Sequence, residues 1–148
     1  MRVLAFVALA LLLVGCSDST GPDFPNAEGR YSGQWDTEAL RGGERLTGEC
    51  TGYVLIASQS DADISGEVLL GPGFGCSDVV LEMSGTITTG GSVELHVPVW
   101  DADLDSCTGD TALKGSLSGN RLTLAFGPVV CPEEGTEVTV SASFLGTR

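Results

Sequence analysis

The chain has 148 residues, enough for one domain around one core. Its 7 basic against 20 acidic residues give a net charge of −13, which repels phosphate backbones and anionic lipid surfaces and excludes nucleic acid as a partner class. Glycine reaches 21 residues, and Val, Leu and Thr recur between Gly, Ser and Asp clusters, a composition of many short strands rather than helices.

The first segment, MRVLAFVALALLLVGC, carries Arg2 and then an unbroken apolar run from Val3 to Val14. The run is too short to span a bilayer and suits the core of a signal peptide. Its end, Leu13-Val14-Gly15-Cys16, resembles the lipobox of bacterial lipoproteins. That resemblance implies a signal peptide over residues 1–15, cleavage after Gly15 and diacylglycerol on the Cys16 sulfur, with the membrane as partner through the acyl chains. Ser17 rather than Asp follows the cysteine, which in a diderm cell implies the outer membrane. The competing readings are a secretory signal with a chance cysteine, or an N-terminal membrane helix. Residues 16–28 read as lipidated cysteine and tether, because SDSTGPDFPNA is rich in turn formers and has no periodicity. The folded domain is expected over 29–148.

Within it, GRYSGQW (29–35) opens the first strand. Two later stretches share one pattern: CTGYVLIASQSDADISGEVLLGPGFGC (50–76) and CTGDTALKGSLSGNRLTLAFGPVVC (107–131). Each opens with Cys-Thr-Gly, carries two apolar runs around a polar turn, and closes with Gly-Pro and a cysteine. Each reads as a β-hairpin, the second with its turn at Gly119-Asn120. Four cysteines in an exported chain allow three pairings, but a hairpin brings its own open ends together, which selects Cys50–Cys76 and Cys107–Cys131. The Gly-Pro pairs are expected to end the second strand of each hairpin.

VVLEMSGTI (79–87), SVELHVPVW (92–100) and TEVTVSASF (136–144) complete the set. Alternation turns Val79, Leu81, Met83, Gly85 and Ile87 inward in the first of these. It turns Val93, Leu95, Val97 and Val99 inward in the second, and Val138, Val140, Ala142 and Phe144 in the third. One dry and one wet face is the mark of antiparallel sheet. The fold class is all-β: an eight-stranded antiparallel up-and-down barrel, arranged as two four-strand repeats, with a β-sandwich as the alternative.

Little chemistry is organised along the chain. DADLDSCTGD alternates Asp101, Asp103 and Asp105, a pattern that could feed oxygens to Ca²⁺, although Ser106 and Ala112 stand where an EF-hand needs Gly and Glu. The bland reading is a solvated acidic loop, and no other cofactor is expected. His96 is the only histidine and falls on an outer face beside Glu94. There is no Gly-x-Ser-x-Gly elbow and no phosphate-binding loop, so the chain reads as non-enzymatic.

Gly33-Gln34-Trp35 on the first strand of a meander resembles the Gly-x-Trp opening of the calycins, lipocalins and avidins among them. The resemblance implies a ligand pocket inside the barrel and Trp35 at its closed end against an arginine of the last strand, for which Arg148 is the candidate. The plainer reading makes Trp35 a core residue. A pocket inside such a barrel would be lined by Met83, Leu95, Val97, Leu124, Phe126, Val140 and Phe144. Two functions follow: an envelope lipoprotein holding one small, largely apolar ligand, or an envelope structural or protein-interaction lipoprotein that works through its acidic outer surface.

Overall fold

The computed structural model describes residues 21–73, 76 and 78–148; the expected signal peptide over 1–15 and Cys16 lie outside the described residues. Strands β1 (Gly29–Arg41), β2 (Glu44–Ser60), β3 (Asp63–Gly73) and β4 (Val79–Ile87) form a meander, each antiparallel to the one before. β5 (Ser92–His96) leads into helix α1 (Pro98–Asp103) and the two-residue β6 (Thr108–Gly109). β7 (Leu113–Ser118), β8 (Arg121–Glu133) and β9 (Thr136–Thr147) complete the chain. β9 pairs with both β8 and β1, so eight strands close into a barrel, and β6 adds a ninth on the edge of β8. Every strand of the eight-strand cycle has a partner on each side, which settles barrel over sandwich.

The strands exist because their apolar residues recur with period 2. In β8, Leu122, Leu124 and Phe126 are buried while Arg121 and Ala125 face water. The pattern then skips a beat, for Val129 rather than residue 128 is buried. Phe126 pairs with Ala142 but Val129 with Val140, so Gly127-Pro128 contributes one extra residue, a β-bulge. Gly127 takes φ +77°, which glycine adopts freely. Gly71-Pro72 does the same in β3, where the register slips between Gly52↔Leu70 and Cys50↔Gly73. The expectation that these Gly-Pro pairs end their strands is therefore corrected: proline lacks the N–H for a regular ladder but is tolerated at a bulge, and both strands continue past it.

Three further differences shape the molecule. β1 runs on to Arg41 and turns at Gly42-Gly43 into β2, where the sequence reading carried the first strand only to residue 35. The fifth strand stops at His96, because Pro98 cannot donate to the ladder and instead opens α1 at its first turn. Val99, expected inward, is consequently 47% exposed on that helix. Val79, also expected inward, is exposed at the start of β4, in the stretch of that strand that β5 does not reach.

Both expected disulfides are present, Cys50–Cys76 and Cys107–Cys131, with Cα–Cα separations of 6.3 and 4.2 Å. They lie toward the end of the barrel that carries the β1–β2, β3–β4 and β8–β9 turns. The other end is closed by the chain itself. Tyr31 donates its hydroxyl to Ala27 O (2.9 Å), and Gln59 receives the Ala27 amide (2.8 Å) while donating to Pro25 O (3.1 Å). Ala27 is fully buried and Phe24 packs against the core, so the last residues of the expected tether plug the closed end.

Candidate functional site

The interior is packed along most of its height. Trp35, Tyr31, Leu95, Leu113 and Leu122 are fully buried, and Trp35 lies on Phe144 with ring centroids 4.7 Å apart. The Trp35 indole crosses Gly52 and donates to Leu69 O at 3.1 Å. A Cβ on Gly52 would stand 2.9 Å from the indole nitrogen and 2.0 Å from that carbonyl, so only glycine lets the ring through. An eight-stranded barrel has an interior that side chains just fill, and this one is filled.

Of the seven residues expected to line a central pocket, Met83, Leu95, Val97, Leu124 and Phe144 are core packing. Phe126 and Val140 do line a cavity, displaced to the open end. The expected Trp35–Arg148 pair is likewise corrected. The Arg148 guanidinium lies over the Tyr31 ring, 5.5 Å from its centroid, and donates to the carbonyls of Glu28 and Asn26. Register explains it: Trp35 pairs with Phe144, four residues short of the chain end, which leaves Arg148 beside the plug. Burial raises the Tyr31 pKa above its ordinary value, and the nearby Arg148 charge only partly offsets this.

The open-end cavity has a volume of about 430 Å³, within the usual range for small-molecule sites. Its existence follows from unequal strand lengths. β1, β2, β8 and β9 have 12 to 17 residues each, whereas β5 has 5 and β7 has 6. The wall is therefore tall on one side and low on the other, and α1 folds over the low side. Trp100 and Leu104 of this lid segment face Phe126, Val140 and Ala142 of the tall wall, with Leu70 and Cys76 beside them. Trp100 meets Phe126 edge-on at 5.7 Å. Thr37, Ser141 and Asp103 supply the polar lining.

The lid is held from its outer side. Thr111 Oγ1 donates to Asp101 Oδ1 at 2.6 Å, and His96 Nδ1 lies 3.8 Å from Asp101 Oδ2. His96 Nε2 is 3.5 Å from Glu94, as its outward position beside Glu94 implied. Lys114 bridges Glu94 and Asp110, and its hydrogen bond holds the Asp110 carboxyl below the usual range, assisted by the Ala112 amide.

The three aspartates whose alternation could have fed oxygens to calcium do not converge. Asp101 turns to Thr111, Asp103 to the cavity, and Asp105 lies past the helix; two helix positions two apart project to different sides. Among the described residues no three His, Cys, Asp or Glu side chains are placed to hold a metal ion. A second, more open concavity of about 650 Å³ runs over the outer wall of β2, β1 and β9, bordered by Asp36, Glu38 and Glu49 with Ser141 and Ser143.

Sequence reasoning missed Trp100, Leu104, Leu70 and Asp103 as cavity residues. Pro98 was the available signal: a proline six residues into an apolar alternation marks a strand's end. No family model, curated protein or solved structure matches the chain. The fold defines its class: a small closed eight-stranded antiparallel β-barrel, as the calycin resemblance implied, clamped by two disulfides and with an apolar cavity under a helical lid at one end.

Proposed function

We propose that this chain is a non-enzymatic, lipid-anchored protein of the cell envelope that binds one small, largely apolar ligand at the open end of its barrel. The observation that carries the reading is the cavity itself. Trp100, Leu104, Phe126 and Leu70 give a concavity of about 430 Å³ largely apolar walls, at the end of the barrel opposite the Ala27 plug. Anchoring at Cys16 rests on the lipobox-like sequence, and in a diderm cell it places the protein on the outer membrane. The described chain enters the fold at the closed end, so such an anchor sets the plug toward the membrane and the cavity away from it.

A second reading, a protein-interaction lipoprotein acting through its outer surface, is favoured by the outer concavity with its three carboxylates. Native mass spectrometry of the oxidised chain separates the two. A bound small molecule released on denaturation supports the cavity reading; a bare chain that captures a basic partner in a salt-dependent manner supports the other. Metabolic labelling with a fatty acid, lost in Cys16→Ser, tests the anchor.

A further inference from the structure

We propose that the ligand is an amphipathic cation: an apolar body bearing an ammonium group, held at the open end with its charge on Asp103. This rests on the cavity reading above and names the chemistry of that site.

The apolar body is met by Trp100, Leu104, Phe126 and Leu70. The polar lining is asymmetric in charge, because Thr37 and Ser141 are neutral residues and Asp103 is the one acidic residue, with no basic one, among the cavity's described residues. The basic side chains near that end are already paired. Arg41 pairs with Glu133 at 3.4 Å, Arg45 with Glu38 at 3.4 Å, and Lys114 with Glu94 and Asp110. Asp103 makes no ion pair or side-chain hydrogen bond among the described residues, although its neighbour Asp101 makes both contacts that hold the lid. A carboxylate without a partner at the rim of an apolar cavity is complementary to a cation. The edge of that cavity is aromatic, and an ammonium near the Trp100 face gains cation–π attraction. The net charge of −13 acts in the same sense at longer range, drawing cations toward the molecule and repelling fatty-acid-like anions.

The test is a titration of the purified, oxidised chain with three probes of one chain length, octylamine, octanol and octanoate, at neutral pH. Calorimetry reads affinity, and the change in Trp100 fluorescence, absent in Trp100→Phe, reports the site. The expected order is octylamine, then octanol, then octanoate. The amine should bind about ten-fold tighter than the alcohol, the product of an exposed ion pair and a cation–π contact. Asp103→Asn should bring amine and alcohol to within about two-fold of each other while leaving octanol unchanged. Asp105→Asn, which changes net charge equally but does not line the cavity, should preserve the preference. Equal binding of amine and alcohol by the unaltered chain, or a preference that survives Asp103→Asn, overturns the assignment of charge and leaves the apolar cavity standing. Failure of all three probes overturns both.

Discussion

The two clamped hairpins begin from the same ingredients and do different work. In the first, β2 is a single strand of 17 residues that pairs with β1 on one side and β3 on the other. In the second, the corresponding partner of β8 is broken into β6 and β7, with Asp110 to Ala112 between them and α1 ahead. Each hairpin has its Cys-Thr-Gly facing a strand that bulges at Gly-Pro, and each is tied by a disulfide across a similar span of 26 or 24 residues. The glycines show the divergence. Gly52 leaves room for the Trp35 ring, whereas Gly109, at φ +133°, lies against the Pro128 carbonyl and no indole crosses it. The first hairpin builds wall around a core tryptophan, and the second gives up wall to make a lid that carries the other tryptophan. A covalent clamp makes that loss tolerable, since Cys107–Cys131 holds the short β6 where two residues of ladder alone would fray.

The sharpest way to break this comparison is to remove each tryptophan. Trp35→Ala should destabilise the barrel by about 3–5 kcal/mol in urea unfolding, as expected for a large buried ring that leaves a cavity. Trp100→Ala should cost about 1–2 kcal/mol, because the lid ring is only partly buried, and should cost ligand binding instead. Equal losses of stability would show that α1 belongs to the core.

Next in size are the clamps. Replacing either cysteine pair by serine should lower stability by about 3–4 kcal/mol, nearly the same for both because the closed loops are nearly equal. The difference should appear in hydrogen exchange. Loss of Cys107–Cys131 should deprotect the Leu104 amide, which donates to Trp100 O, while loss of Cys50–Cys76 leaves it protected. If both variants expose that amide alike, the second disulfide has no particular hold on the lid.

A smaller effect, about 1 kcal/mol, is expected for Thr111→Val, which removes the donor to Asp101. It should loosen α1 locally, seen as faster quenching of Trp100, with Trp35 unaffected.

The smallest is electrostatic. The folded pKa of Asp110 is depressed, chiefly by the Lys114 hydrogen bond, so its stabilisation is present above the ordinary carboxylate pKa and is lost as pH falls through the lower folded value. Asp110→Asn should therefore lower stability slightly at neutral pH and leave it unchanged below the folded pKa, flattening the acid limb of the stability curve. The pair is solvent-exposed, and salt should erase the difference.

Much of this architecture was legible in the order of residues. Period-2 alternation identified β4, β5 and β9 because each lays one face on the core, apolar runs around a polar turn identified β3 and β8, and hairpin geometry selected both disulfides because it acts within 27 residues of chain. Gly42-Gly43 in LRGGER, both at positive φ, is an equally plain hairpin signal in the sequence. The cavity was not legible. Inward-facing Met83, Leu95 and Phe144 look identical to Phe126 and Val140 along a strand, and what separates them is height in the barrel. Height depends on where opposite walls end, a property of eight strands together. Arg148 illustrates the same point: its place at the closed end was inferable, but its neighbour, Tyr31 rather than Trp35, was decided by the β1–β9 register. Local patterns determine which residues are strand, which face is dry and which cysteines meet, because those forces act between near neighbours. Only closure of the sheet decided that the barrel's middle is full, that one end is plugged by Ala27, and that Trp100 and Asp103 share the other.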